Sequence, residues 1–147
     1  MKIEIKKWDE LSPLLLHDLI ALRINIFVVE QNCPYPELDG KDLAAHHVLM
    51  YSDDDTLIGT ARILAPGVSY PEVSIGRVAI DEGHRAKDMG HELMHASLAF
   101  IAQEYGEVPV KISAQEHLQG YYNKHGFVKV SDVYLEDDIP HVAMLRS

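Results

Sequence analysis

The hydrophobic pattern of the chain has a period of two in some stretches and a helical period in others. Apolar and charged side chains alternate over residues 2–7, which predicts a first β-strand. Further stretches are bounded by glycine, proline or aspartate, as strands commonly are, and one of them, residues 72–80, is also rich in β-branched side chains. These predicted strands cover residues 47–52, 56–64, 72–80, 108–113, 127–130 and 141–146.

Three other stretches have their apolar residues at helical spacing. The first covers residues 13–28, with Ser12 as a predicted N-cap and Pro13 at the first helical position. The second covers residues 89–105 and the third residues 115–125, and a glycine follows each of them. The order β-α-β-β-β-α-β-α-β-β predicts a mixed α/β (α+β) sheet with helices packed on it.

Length and charge narrow the class of protein. A chain of 147 residues predicts a single domain, 1–147, and it has no apolar run near the ~20 residues that cross a bilayer. Cys33 is the only cysteine, so we expect neither an internal disulfide nor a cysteine-based metal site, which fits the cytoplasm. The net charge of −10 argues against nucleic-acid binding and favours a cationic substrate. We expect a cytoplasmic protein without nucleic-acid or membrane partners.

Residues 91–95 match a metal-binding pattern. His91, Glu92 and His95 follow the His-Glu-x-x-His order of zinc hydrolases, in which two histidines one helical turn apart bind the metal. On a helical wheel, however, Leu93 and Ser97 belong to the buried face, and both histidines fall on roughly the opposite side. A catalytic metal site needs a walled cleft with oriented ligands. The wheel therefore favours solvent-facing histidines and no metal.

The residues just before this pattern are typical of an anion site. A predicted strand ends at Ile80 and a predicted helix begins near Met89, and free backbone N–H groups at a helix start attract anions. Arg85 and Lys87 add positive charge, and Gly90 allows a ligand to approach the backbone closely. The P-loop and dinucleotide-binding glycine patterns are both missing from the chain. From the loop alone, an ordinary strand-to-helix connection is the alternative.

The wider context of this loop resembles a known family. The pattern Arg85-x-x-Asp88-x-Gly90-x-x-Leu93 is similar to motif A of the GNAT acetyltransferases, Arg/Gln-x-x-Gly-x-Gly/Ala followed by a helix. Residues 76–80 resemble the family's fourth strand, and residues 118–127 resemble its motif B, Phe-Tyr-x-Lys-x-Gly-Phe. Residues 27–35, 38–40 and 134–141 resemble signatures of the ElaA-like branch. The resemblance covers nearly the whole chain in the correct order.

Asp88 is the one departure from motif A, because it replaces the first glycine of the motif. A carboxylate beside a pyrophosphate is repulsive, and a residue other than glycine restricts the loop. We expect either that Asp88 points to solvent or that the affinity for the cofactor is reduced.

The resemblance implies a fold and a cosubstrate. The fold is a central, mostly antiparallel sheet of six to seven strands whose fourth and fifth strands, residues 73–80 and 108–113, splay apart. The cosubstrate is acetyl-CoA, and no metal is required. The backbone of Val78, Ala79 and Ile80 would bind the pantetheine arm. The residues implied to hold the pyrophosphate are Arg85, Ala86, Lys87, Asp88, Met89, Gly90 and His91.

Four side chains are candidates for catalysis and acceptor binding. By resemblance, Tyr122 is the acid that protonates the departing CoA thiolate; a structural role would make it a core aromatic. Glu72 is the candidate base, directly or through water, because an ammonium group with a pKa of ~10 must first lose a proton. Glu30 and Asp39 are candidates for the acceptor pocket. The structural alternatives are a solvated strand end for Glu72, a helix end for Glu30 and a turn for Asp39.

These observations predict an N-acetyltransferase that moves an acetyl group from acetyl-CoA to a primary amine by direct transfer in a ternary complex. The acceptor would be a small molecule or a peptide, and a homodimer is a form that the resemblance allows. One alternative is a non-catalytic CoA-binding module, which the Asp88 substitution favours. The other is a zinc hydrolase that uses His91-Glu92-x-x-His95.

Overall fold

An eight-stranded sheet forms the centre of the computed structural model, which describes residues 1–85 and 88–147. Ala86 and Lys87, two residues of the predicted pyrophosphate loop, lie outside the described residues. The strands are β1 (Lys2–Lys7), β2 (His46–Tyr51), β3 (Leu57–Leu64), β4 (Val73–Ile80), β5 (Val110–Gln115), β6 (Val128–Lys129), β7 (Tyr134–Glu136) and β8 (Ile139–Arg146). Their order is β1-β2-β3-β4-β5-β8-β6, and β7 pairs with β8. The pair β4–β5 is parallel and the other pairs are antiparallel.

The helices are α1 (Pro13–Ile24), α2 (Met89–Tyr105) and α3 (Gln119–Asn123). Ser12 caps α1 as predicted, since its side chain accepts a hydrogen bond from the backbone N–H of Leu15 at 3.1 Å. A π-helical segment, Asn25–Glu30, continues α1 beyond its predicted end. In the described part of the chain, no helix is long and apolar enough to cross a membrane.

The predicted fold class is confirmed, and the differences lie at short elements. The sheet has eight strands rather than six or seven, because the three-residue β7 has too few residues to show an alternation. The predicted helix over residues 115–125 is a 3-10 turn, Glu116–Leu118, followed by the single short helix α3. Strand β5 begins at Val110 rather than at residue 108. The residue before this start is Pro109, which has no N–H to donate to a strand partner.

The sheet lies between α1 and α2. Alternate residues of β2 point to opposite faces, so Leu49 packs with Leu19 of α1. Its neighbours Val48 and Met50 belong instead to the main core, which contains Leu93 of α2. The two helices therefore cover opposite faces of the strands that precede the β4–β5 opening.

The sheet opens between β4 and β5. These strands pair only at Val73 with Val110 and at Ser74 with Lys111, and then diverge. Strand β4 also bulges away from regular pairing with β3. Its register passes from Gly76 opposite Arg62 to Ala79 opposite Thr60, so two residues of β4 face one residue of β3. The predicted splay of the fourth and fifth strands is confirmed.

Candidate active site

A cavity of about 330 Å³ fills the opening between β4 and β5. This volume lies in the range of small-molecule sites. Strand β4 contributes Gly76, Arg77 and Val78, and β5 contributes Ser113 and Gln115. Further parts of the wall come from the loop before β2, Tyr122 of α3, the β7–β8 hairpin, the π-helical segment, β3 and the β3–β4 loop. The bulged part of β4 is thus exposed to a space that a substrate could occupy.

The bulge places a strained residue at the cavity wall. Arg77 has a φ of 50°, in the left-handed region that residues other than glycine rarely adopt. Its side chain offsets this cost, since Nε donates to Glu37 Oε2 at 2.9 Å and Nη2 donates to the Glu37 carbonyl at 3.2 Å. The next residue, Val78, lines the cavity and lies in the bulge, outside the regular register with β3.

Tyr122 is both a core aromatic and part of the cavity wall. The side chain is 7% exposed and packs edge-on against Phe127, with ring centroids 5.9 Å apart. It also lines the cavity. Burial raises the pKa of Tyr122 to about 12, so the phenol keeps its proton at neutral pH and can serve as a donor. Packing in the core therefore holds the Tyr122 side chain at the cavity wall.

The start of α2 carries the described part of the predicted pyrophosphate loop. Arg85 donates from Nε to the Ile80 carbonyl at 2.9 Å and from Nη2 to Glu30 Oε1 at 2.8 Å. Tyr121 donates its hydroxyl hydrogen to the Gly90 carbonyl, which ties α3 to the first turn of α2. The arginine predicted for phosphate binding is therefore already paired with a carboxylate.

Asp88 has the backbone conformation that explains the glycine of motif A. Its φ of 56° and ψ of 17° are left-handed, and it precedes the first residue of α2. Glycine adopts this conformation freely, whereas aspartate is one of the few other residues that tolerate it. The side chain is exposed and makes no capping hydrogen bond, which agrees with the solvent-facing arrangement named among the expectations.

The histidines of the zinc pattern lie beside α3. His91 Nδ1 is 2.8 Å from His125 Nε2, and the His95 ring contacts the His125 ring edge-on with centroids 5.0 Å apart. Burial and the neighbouring His91 lower the pKa of His125 and so disfavour protonation of its ring. Among the described residues, no group of three or more histidines, cysteines or carboxylates is arranged to hold a metal ion.

The predicted acceptor residues Glu30 and Asp39 lie in different places. Glu30 pairs with Arg85 at the start of α2 and is not among the described residues that line the cavity. Asp39 lines the cavity, and both its oxygens accept hydrogen bonds from Arg62 at 2.9 Å. Burial alone would raise the pKa of Asp39, but the hydrogen bonds from Arg62 and Lys41 and the charges of Arg62 and Arg77 together outweigh it and hold that pKa well below its usual range.

Glu72, the candidate base, lies just before β4. It is not among the described residues that line the cavity. Its Oε1 is buried, and no hydrogen-bond partner for this atom is found in the part of the chain that the structure describes. The structure thus brings Tyr122, Val78 and Asp39 to one cavity, and it places Glu72 and Glu30 elsewhere.

A buried network of ion pairs, which the sequence reasoning missed, holds the cavity wall. Arg23 of α1 is 1% exposed and donates to Glu37 Oε2 at 2.7 Å and to Asp42 Oδ1 at 2.8 Å. Arg62 joins Asp42 to Asp39, and Arg77 joins Glu37 to the bulge. A signal was available, since Arg23 lies four residues after Leu19 and therefore on the apolar stripe of α1.

A second missed cluster occupies the wall formed by β5, β7 and β8. Ser113 Oγ hydrogen-bonds the Tyr134 hydroxyl and donates to Glu136 Oε1 at 3.1 Å. His141 Nε2 is 3.4 Å from Glu136 Oε2. The sequence pattern over residues 134–141 contained these side chains, but a branch signature alone assigns no chemistry to them. Their grouping depends on strand pairing between β7 and β8, which the sequence did not reveal.

The sheet is mostly antiparallel, it opens at a parallel strand pair, and a bulged strand lies beside the opening. This is the architecture of the GNAT class of acyltransferases. The comparisons with known proteins agree. The sequence model of the family described as "Acetyltransferase (GNAT) domain" matches residues 28–147. The chain belongs to the GNAT acetyltransferase family and is an acyltransferase by class.

Two relatives are similar over nearly their full lengths, and one of them is compared both by sequence and by structure. Protein ElaA of Escherichia coli (strain K12) is 42% identical over 140 residues, which cover 94% of this chain and 91% of ElaA. The crystal structure of an acyl-CoA N-acyltransferase from Pseudomonas aeruginosa superposes with a TM-score of 0.92 at 42% identity, with 100% of both chains covered. The crystal structure of E. coli ElaA gives a TM-score of 0.91 at 39% identity, again covering 100% of both chains.

Proposed function

We propose that the protein transfers an acetyl group from acetyl-CoA to a primary amine by direct attack within a ternary complex. The observation that carries this proposal is that the β4 bulge and the Tyr122 side chain both line the same cavity. Transfer from a thioester needs a donor for the developing oxyanion and an acid for the leaving thiolate. The bulge supplies peptide groups outside the regular register with β3, which could donate to the oxyanion. Tyr122 supplies a protonated phenol, which could donate to the thiolate.

The cosubstrate would bind along β4 and at the start of α2. The thioester supplies the activated acyl group. Val78, Ala79 and Ile80 belong to the part of β4 that no longer pairs with β5. An extended pantetheine arm could pair with the backbone there, as an added strand would. The backbone N–H groups and dipole at the start of α2, together with Arg85, would attract the pyrophosphate. Ala86 and Lys87 belong to this proposed loop by sequence.

Amine transfer is supported by the name of one relative and by the charge of the chain. The P. aeruginosa relative is named an acyl-CoA N-acyltransferase, and this chain covers all of it. A net charge of −10 attracts cationic acceptors more strongly than anionic ones. An ammonium-bearing small molecule or peptide is therefore the proposed acceptor.

Ligand-dependent unfolding tests the binding half of the proposal. Acetyl-CoA at 100 times its Kd is expected to stabilise the folded protein by about 2.7 kcal/mol, which a thermal-shift assay detects as a raised Tm. Zinc and a chelator serve as parallel arms and are expected to leave the Tm unchanged. Absence of any shift with acetyl-CoA would contradict the proposal, and a large loss of stability on chelation would favour the zinc hydrolase.

A non-catalytic CoA-binding module is the second candidate, and the left-handed, exposed Asp88 in motif A is the observation that favours it. Both candidates predict stabilisation by acetyl-CoA, so binding does not separate them. Release of CoA in the presence of a panel of amines does. Tight binding without CoA release from any amine would favour the module.

A further inference from the structure

The wall of the cavity opposite β4 carries an acid–base cluster without an assigned role. Strand pairing places its members on one face: Tyr134 of β7 is opposite His141 of β8, and Gln115 of β5 is opposite His141 from the other side. Directly opposite residues of antiparallel strands point to the same face of a sheet. His141 and Glu136 both line the cavity, and His141 is 7% exposed.

The hydrogen bonds of His141 fix which ring nitrogen faces Glu136. Nδ1 is 2.7 Å from the Ile139 carbonyl, and because a carbonyl oxygen only accepts, Nδ1 carries the hydrogen. In the neutral ring, Nε2 then holds the free lone pair. Glu136 Oε2 lies 3.4 Å from Nε2, within the distance of a charge pair once Nε2 is protonated. The ring is therefore arranged to accept a proton at Nε2.

The surroundings keep Glu136 in position to support that proton. Ser113 donates to its other oxygen, Oε1, at 3.1 Å. Tyr134 stacks on the His141 ring with an interplanar angle of 22° and hydrogen-bonds Ser113. The Ile139 carbonyl thus orients the histidine through Nδ1, and the carboxylate beside Nε2 stabilises a proton that this nitrogen accepts.

The charges that line the cavity separate into a wall that carries the cations Lys41, Arg62 and Arg77 and a wall that carries the carboxylates of Glu136 and Asp137. On the first wall, Arg62 pairs with Asp39 and Arg77 pairs with Glu37. On the other wall, the nearest ionic partner of Glu136 is a histidine that is charged only when protonated. The side that faces away from β4 thus favours a cationic group.

We propose that His141, backed by Glu136, is the general base that deprotonates a cationic amine acceptor; this inference rests on the proposed function. Nε2 takes one proton from the ammonium group, and the freed nitrogen lone pair forms a bond to the thioester carbonyl carbon. The carbon–sulfur bond of the tetrahedral intermediate then breaks. The departing thiolate takes the phenolic proton of Tyr122, and the second proton lost by the nitrogen restores the phenol. The products are the amide, CoA and one proton on His141.

Chemical rescue tests this assignment directly. We would measure kcat/KM for acetyl transfer to cationic primary amines with the wild-type protein and with His141→Ala, each with and without added imidazole. The matched control is His17→Ala, an exposed histidine of α1 whose side chain is 76% accessible. General-base catalysis contributes about 10²- to 10⁴-fold, so His141→Ala should lose at least about 100-fold. Imidazole should restore at least about tenfold, and the Kd for acetyl-CoA should stay within about threefold.

The outcomes separate this inference from the function on which it rests. A wild-type protein that binds acetyl-CoA but acetylates no amine refutes the proposed function and, with it, the role of His141. A His141→Ala rate within threefold of wild type, or a loss that imidazole fails to restore, overturns the role of His141 alone. A loss of rate confined to Glu72→Gln would return the role of base to Glu72.

A second variant keeps the inference testable if His141→Ala does not fold. The Glu136 side chain is 47% accessible, so Glu136→Gln removes its charge at little cost to packing. Its kcat/KM for amines should fall about tenfold, as expected when the charge that supports a base is lost. An unchanged rate in this variant would overturn the inference.

Discussion

Asp88 departs from motif A in its charge and in its backbone requirement, and substitutions at this position separate the two effects. One effect is electrostatic, since an exposed carboxylate precedes the first residue of α2, where the pyrophosphate is proposed to bind. The other is conformational, since its φ is 56°. Asp88→Asn removes the charge and keeps a residue that tolerates the left-handed region. Asp88→Ala removes the charge but does not tolerate that conformation, and Asp88→Gly relieves both effects.

The two effects should appear in different measurements. Two unit charges 6–8 Å apart in water interact by about 0.5–0.7 kcal/mol, so a carboxylate near two phosphates costs roughly 1 kcal/mol of binding. Each variant should therefore bind acetyl-CoA about fivefold more tightly. The left-handed conformation costs an ordinary residue about 1–2 kcal/mol, which appears as lowered stability of Asp88→Ala relative to Asp88→Gly.

Calorimetric titration with acetyl-CoA gives the affinities, and urea unfolding gives the stabilities. Asp9→Asn is the matched control, because it makes the same change in net charge in the 3-10 turn after β1. The gain in affinity should shrink at high salt, since exposed charges are screened. Equal affinity for wild type and Asp88→Asn, or weaker binding by all three variants, would refute the reasoning that places the pyrophosphate beside Asp88.

Three further predictions concern other parts of the site. Tyr122→Phe should lower kcat by about 100-fold with an unchanged Kd for acetyl-CoA, because only the leaving thiolate loses its acid; an unchanged rate would make Tyr122 a core residue alone. Glu30→Gln should tighten acetyl-CoA binding about two- to fivefold by calorimetry, since it frees Arg85 from an exposed ion pair worth up to about 1 kcal/mol, and weaker binding would contradict this. Arg23→Met should lower the free energy of unfolding in urea by about 3 kcal/mol, because the buried carboxylates of Glu37 and Asp42 each lose one of their two arginine partners; a loss below 1 kcal/mol would contradict it.

The sequence predicted the long elements of the fold well because their periodic patterns are strong. Strands β1 and β4 and helix α2 have the predicted bounds or differ by one residue. The hairpin β7–β8 was missed in part, since its turn residues Asp137 and Asp138 interrupt the alternation with positive φ angles. Local periodicity does not encode such short strands, which depend on a partner strand for their pairing.

The sequence predicted the parts of the candidate site that the backbone forms. It did not predict the parts that depend on pairs of distant side chains. The resemblance to motif A indicated the strand-loop-helix segment, and the left-handed φ of Asp88 explains the family's glycine there. The partners of Glu30 and Asp39, by contrast, are arginines that are 55 and 23 residues away along the chain. No pattern in a single sequence specifies such pairs, and the same limit applies to the contact between Glu136 and His141.

The most direct test of the central claim is the identification of the product of wild-type protein with acetyl-CoA and cationic primary amines. The account predicts that CoA release, followed with a thiol reagent, rises with amine concentration. Mass spectrometry should then find the amine carrying one acetyl group in an amount equal to the CoA released. Release of CoA with acetate as the product would contradict amine transfer, and binding of acetyl-CoA without any release would contradict catalysis.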